Sequence, residues 1–214
     1  MSHTSATRPC STGRRCLSPG LLLAGVALLT FSVSACGPAE VPPEVMEAAT
    51  QEGAEMAAQE SAAAELASFV ADLEVIEEKF IGLAEAFPED TYTWRPMDGV
   101  RSVSEVLMHV ASEGYGFAPS ALGGTSAMSR EESGALSEIT DKAEVIDHLT
   151  KGFAHAKMEL GAIDPSTLVG AREVFGQERT TPDLVLFVAG EMHEHLGQLI
   201  AYARTNEIVP PWSE

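Results

Sequence analysis

Cysteine is almost missing from this chain of 214 residues: there are three, and only Cys36 stands outside the extreme N-terminus that holds Cys10 and Cys16. That excludes a disulfide framework and a Cys-rich zinc site, so any metal chemistry falls to His, Asp and Glu. Positive charge is equally scarce, with 13 Lys plus Arg against 32 Asp plus Glu and a formal charge of -19. Arg8, Arg14 and Arg15 are the only charged residues before Cys36, so the chain beyond it carries 10 basic and 32 acidic residues, a net charge of -22. A protein that binds nucleic acid by neutralising phosphates needs the opposite sign, and no nucleic-acid partner is expected. Also lacking are a glycine-rich phosphate loop, a Gly-x-Ser-x-Gly nucleophile elbow and any internal repeat.

The one long apolar run, Leu17 to Val33, follows a segment that holds Arg8, Arg14 and Arg15 and no acid. A basic stretch leading into an apolar one is a targeting signal rather than part of a fold. With about 17 residues and with Pro19 inside it, the run is at the low limit for a spanning helix. Directly behind it stands Val33-Ser34-Ala35-Cys36, which resembles the lipobox of bacterial lipoproteins. The resemblance implies that residues 1–35 are a signal peptide and that Cys36 is diacylated on sulfur and becomes the first residue of the mature protein. Gly37 rather than Asp after the cysteine then favours the outer membrane over the outer face of the cytoplasmic membrane. The alternative is an uncleaved anchor in which Cys36 is an ordinary thiol. Both readings attach the chain to a membrane and place its acidic part outside the cytoplasm. Residues 36–60, rich in Ala, Glu and Gln with almost no large apolar side chain, read as a tether. Helix formers from Glu44 onward would let that tether run straight into the first helix of the domain.

Residues 61–214 form the domain. Leu66, Phe69, Val70, Leu73, Ile76, Phe80, Leu83 and Ala84 recur at spacings of three and four, which predicts a helix ending before Pro88. A loop with Pro88, Pro96 and Gly99 follows, and Ser102 with Glu105 then makes a capping-box pattern for a second helix carrying Val103, Val106, Leu107, Val110 and Ala111. Residues 123–138, rich in Gly, Ser and Glu, are the least ordered part of the domain by composition, and their length suits a lid or binding loop. A third helix starts after Thr140 and is stopped by Asp164-Pro165. Residues 165–180 fit an irregular loop or a short strand pair, and a fourth helix starts at Thr181-Pro182, with Thr181 as cap, and runs to about Thr205. Four amphipathic segments predict an all-α fold, an antiparallel four-helix bundle.

Histidines carry what chemistry there is. Glu191 and His195 are four apart and share one helix face, whereas His193 and His195 point about 200 degrees apart and cannot enter one site. A histidine from another helix completes a three-ligand metal site with open positions, and His109 on the second helix is the best candidate.

The run from Trp94 to Ala111, with its Arg95-Pro96, Gly99, Ser102 and His109, resembles the stretch that leads into the second helix of the DinB superfamily. His195-Leu196-Gly197-Gln198, Tyr202-Ala203-Arg204 and Val209-Pro210-Pro211-Trp212 resemble that family's closing helix and tail. The resemblance covers roughly residues 60–214. It implies a four-helix bundle that holds a divalent metal, zinc or nickel, with manganese as a further option, on three histidines. Carried onto this chain, the ligands are His109, Glu191 and His195, with Glu191 where the family has its middle His. An oxygen ligand there adds negative charge. Gln198 is the candidate to orient a ligand, Gly197 to allow close helix packing, and Trp94 and Trp212 to pack loops onto the bundle end. His148 and His155, seven apart on the third helix, read as ordinary partly exposed histidines.

Some members of the superfamily are metal-dependent thiol transferases or hydrolases, so the resemblance leaves enzyme activity undecided and offers as one reading a metal that activates a bound thiol or water against a small-molecule substrate. The alternatives are an extracytoplasmic metal-binding or small-molecule-binding protein without turnover, and a bundle that has lost its metal and keeps His109 and His195 as interior residues. Export weakens the version that depends on cytosolic low-molecular-weight thiols. A homodimer formed through helix faces is the expected oligomer.

Overall fold

The computed structural model describes residues 42–213, so Cys36 and the expected signal peptide lie outside the described residues. Among the described residues, no helix is long and apolar enough to cross a membrane. Helix α1 spans Pro43–Ala86, 44 residues, and joins the tether and the first domain helix without a break. The expected boundary near residue 60 is a change in burial rather than in backbone. Almost everything before it is exposed, whereas Ala62, Leu66, Phe69, Leu73, Ile76, Phe80 and Leu83 are buried from there on. Pro88 ends the helix by holding Phe87 extended at φ -66 and ψ 126.

The Ser102 and Glu105 capping box opens helix α2, Val103–Ser112. Ser102 Oγ accepts from the Glu105 amide at 3.3 Å, and Glu105 Oε2 accepts from the Ser102 amide at 2.8 Å. The Ser102 amide, and after it the Arg95 guanidinium, hold the Glu105 carboxyl below the ordinary carboxylate range. Helix α2 does not stop at Ser112. It continues through a π-helical turn, Glu113–Phe117, into helix α3, Ala118–Leu122, and ends at Gly123 with φ 98. The stretch expected to be least ordered contains a second capping box, Ser129 with Glu132, which opens helix α4, Arg130–Ala135. Helix α5, Lys142–Gly161, is capped by Asp141 rather than Thr140, its carboxylate accepting from the Glu144 amide at 2.9 Å.

Between α5 and the last helix, strands β1, Ala171–Val174, and β2, Gln177–Thr180, form an antiparallel hairpin. Its turn is Phe175-Gly176 at φ 53 and 73. Two positive φ values suit the right-handed twist of a tight hairpin, but a phenylalanine in the first of them costs about 1 kcal/mol or more. Helix α6 is Thr181–Thr205, with Thr180 in the cap position. Thr181, expected to be the cap, instead donates its hydroxyl to the Leu168 carbonyl at 2.6 Å and ties the hairpin's entry to the helix start.

The helical bundle predicted by the sequence is built from α1, α2, α5 and α6, with α1 and α2 each packed against both α5 and α6. Phe80 meets Phe153 and Glu77 meets Lys157, so α1 and α5 run antiparallel. His109 meets His195 and Phe117 meets Phe187, so α2 and α6 also run antiparallel. The long crossover of residues 123–141 lets α5 start at the same end of the bundle as α2. Lys142 there donates to the carbonyls of Glu85 and Phe87 at the end of α1. Close packing falls on α2 and α5, not on Gly197, whose added Cβ would meet nothing within 4 Å. A Cβ on Gly114 would lie 2.6 Å from the Gly152 backbone, and one on Gly152 would lie 2.6 Å from the Ala111 carbonyl oxygen. Gly152→Ala should therefore lower stability by about 1–3 kcal/mol in denaturant unfolding. Gly197→Ala, an exposed helix-interior glycine, should leave it unchanged or raise it by up to about 1 kcal/mol.

Candidate metal centre

Three side chains from two elements converge inside the bundle. His109, on the last turn of α2, meets His195 of α6 with ring centroids 4.7 Å apart and rings at 87°. Glu113 is the first residue of the π turn, in which the Ala118 amide bonds five residues back to the Glu113 carbonyl. It lies one turn beyond His109, and its Oε1 is 3.3 Å from His109 Nε2. One ligand atom from each of His109, Glu113 and His195 falls within 4.8 Å of the others, a set able to hold a metal ion. No other such cluster of three occurs among the described residues.

The donor chemistry fits a divalent cation. Glu113 is only 5% exposed, and its Oε2 is buried without a hydrogen-bond partner. A buried carboxylate oxygen left in that state is costly unless something positive faces it. Metal bonds of about 2.0–2.2 Å in a tetrahedral set place neighbouring ligand atoms about 3.3 Å apart, the His109 to Glu113 separation found here.

A chain of hydrogen bonds fixes the tautomer of His195. Tyr202 donates its hydroxyl to the Arg101 carbonyl at 3.0 Å, so the phenol oxygen accepts from Gln198 Nε2 at 2.8 Å. Gln198 therefore turns its Oε1 toward His195 Nδ1, 3.2 Å away, and accepts from it. The proton sits on Nδ1, and Nε2 keeps the lone pair a metal needs. Trp94 packs edge-on against Tyr202 with centroids 5.4 Å apart. The loop before α2 and the end of α6 thus brace one ligand.

Of the residues singled out from sequence, His109, His195 and Gln198 come together. At the middle position the structure differs from the expectation. Glu191 lines the same cavity as His109 and Glu113 but is not among the three that converge. It sits on α6 one turn before His195, half-buried, whereas Glu113, one turn beyond His109, is buried. Glu113 was legible in principle, because it stands four residues after His109, the same spacing that drew attention to Glu191. His193 pairs with Asp72 of α1 at 2.8 Å, away from the site. His148 lies beside Tyr115, and His155 donates to the Thr125 carbonyl at 2.9 Å. Trp212 lies at the end of α1 beneath Lys79.

The cavity beside the cluster has a volume of about 650 Å³, within the range of small-molecule sites. One wall is the crossover, through Ser126, Met128, Arg130 and Ser133, so the stretch expected to act as a lid or binding loop borders the site. The other end carries Phe117, Phe175 and Phe187.

The sequence profile of the DinB superfamily matches residues 72–199, which include all three converging residues. No curated protein matches the chain significantly.

The orphaned oxygen yields a direct test. If Glu113 serves a ligand rather than the fold, Glu113→Leu should stabilise the chelator-treated chain by about 1 kcal/mol, since it removes an unpartnered buried acceptor. Urea unfolding in the presence of chelator reads this, and a loss of stability would mark Glu113 as structural.

Proposed function

The chain belongs to the DinB superfamily, and from that premise we propose that it is a membrane-anchored, extracytoplasmic metalloenzyme acting on a small molecule. The observation that carries the reading is Glu113, a buried carboxylate with one oxygen unpartnered, set against His109 and His195 at the edge of an open cavity. Two imidazoles and one carboxylate form a donor set of hydrolytic zinc enzymes, and zinc is the ion this centre favours. Nickel, manganese and ferrous iron suit the same donors. When bound, the ion supplies Lewis-acid activation of a thiol or water nucleophile, for thiol transfer or hydrolysis.

The chain's own residues do the rest. His109 and His195 donate ring nitrogens, and Gln198, held by Tyr202, keeps the His195 lone pair aimed inward. Glu113 offsets half the charge of a divalent ion. Glu191, half-buried on the cavity wall, is placed to accept a proton from a substrate or nucleophile that enters. Ser112 and Ser133 also line the cavity, the Ser112 hydroxyl donating to the His109 carbonyl at 2.7 Å.

Metal content of the full chain, purified without a histidine tag and measured by plasma mass spectrometry, tests the centre. We expect near-stoichiometric metal, lost in His109→Ala and His195→Ala with helical circular dichroism unchanged. Gln198→Ala should weaken affinity about 10- to 100-fold without abolishing binding. A folded, metal-free wild type that fails to take up zinc, nickel, manganese or iron would overturn the reading. The anchor has its own test: cells fed labelled palmitate should incorporate it into the wild type and not into Cys36→Ser. Equal labelling of the two would rule out acylation at Cys36.

A further inference from the structure

Two stripes of side chains face each other across the α2 and α6 contact, and they match rung by rung. On one side stand His109, Glu113 and Phe117, four residues apart; on the other stand His195, Glu191 and Phe187 at the same spacing in the reverse direction. The histidine rung is closed at 4.7 Å between ring centroids and the phenylalanine rung at 5.8 Å. Both acids between them line the cavity. At eight residues, the outer rung lies about 12 Å from the inner one along the helix.

Phe175 completes the outer rung from a different element. It is 77% exposed and stands at the hairpin tip with φ 53, where an asparagine or glycine would be unstrained. There it stacks on Phe117 at 5.5 Å and meets Phe187 edge-on at 6.1 Å. Behind Phe187, Arg179 covers one ring face at 4.5 Å. Neither solubility nor the hairpin's own backbone calls for an exposed phenylalanine at a strained position. A ring entering the cavity does, because the three mutually packed rings that line it offer an aromatic surface to pack against.

We propose that the cavity takes an elongated small molecule with a metal-directed donor at one end and a planar aromatic group at the other, seated against Phe117, Phe175 and Phe187. Glu191 then faces the middle of the ligand and selects a hydrogen-bond donor there. Phe175 and Phe187 are specificity-determining residues. The head-group half of this assignment rests on the metal centre proposed above, whereas the aromatic half stands on the three rings alone.

The test uses the full chain loaded with cobalt, whose visible absorption reports ligands at the metal, and three hydroxamates with the same head. 4-Phenylbutanohydroxamate should bind about tenfold or more tighter than acetohydroxamate, as expected for burying a phenyl group, and also tighter than hexanohydroxamate. Phe175→Ala and Phe187→Ala should each remove most of that preference, read as the ratio of 4-phenylbutanohydroxamate to acetohydroxamate affinity. Phe175 is exposed, so its variant is not expected to unfold. Equal affinity for the three hydroxamates would overturn the proposal and leave the metal centre standing. So would a change of sedimentation coefficient in Phe175→Ala without loss of the aryl preference, since the rings would then serve a contact between copies. Failure to bind cobalt would instead remove the metal reading. In that case ligand-observed NMR with 4-phenylbutanol decides: ring saturation transfer from the wild type that Phe175→Ala abolishes supports the aromatic site, and its absence from the wild type overturns it.

Discussion

A carboxylate buried with one oxygen unpartnered is the constraint around which this site is arranged. Glu113 has His109 on one oxygen and nothing on the other. The residue is only 5% exposed, so few groups other than one entering from the cavity can reach that oxygen. Its position follows from the backbone. Gly114 lets α2 press against α5 at Gly152, where a Cβ on either glycine would collide with main chain. The π turn begins at that crossing, just after α2 has set Glu113 one turn beyond His109, and it leaves Tyr115 on the α5 side beside His148. Helix packing and ligand placement are therefore one feature, and a residue inserted or removed between His109 and Phe117 would disturb both.

Much of this was legible from residue order. The three- and four-residue spacing from Leu66 to Leu83 marks the buried face of α1, and the Ser102 and Glu105 pattern gives the start of α2, because capping chemistry is local. His109 and His195 could be named from helix spacing and again from motifs that resemble a family pattern, and the profile match over residues 72–199 shows that membership. Composition misled over residues 123–138. Glycine and serine suggested a lack of order, yet Ser129 and Glu132 satisfy each other's amides and open α4. Thr140 and Thr181 were each one residue from the true cap, since Asp141 offers a better acceptor and Thr181 is drawn to the Leu168 carbonyl. Glu113 was open to the same spacing argument as Glu191, since it follows His109 by four residues on a continuous helix, and residue order leaves undecided which of the two acids meets both histidines.

The arrangement also bears on charge. With 32 acidic residues against 13 basic ones, the chain attracts cations and repels anions at long range. Inside the cavity Glu113 and Glu191 extend that field to the two histidines. Arg130 is the one basic residue on the cavity wall, and it sits at the exposed crossover rather than beside the cluster. Under the proposed function, a metal ion would be drawn inward by this field and would offset the Glu113 charge, and an anionic head group would be acceptable only once the ion had arrived, so that metal would precede ligand.

That order gives Glu191 a role distinct from Glu113. A second carboxylate oxygen, as a fourth protein ligand, would fill a position that a catalytic metal keeps open, and it would make the centre more closed and more structural. Glu191, one helical turn from His195 and half-buried on the wall, stays free to meet what enters. In the proposed function, Glu191 at the position where the resemblance implies a histidine would put its charge on the cavity wall rather than on the ion, and Glu113 on the opposite helix would supply the third member of the cluster instead.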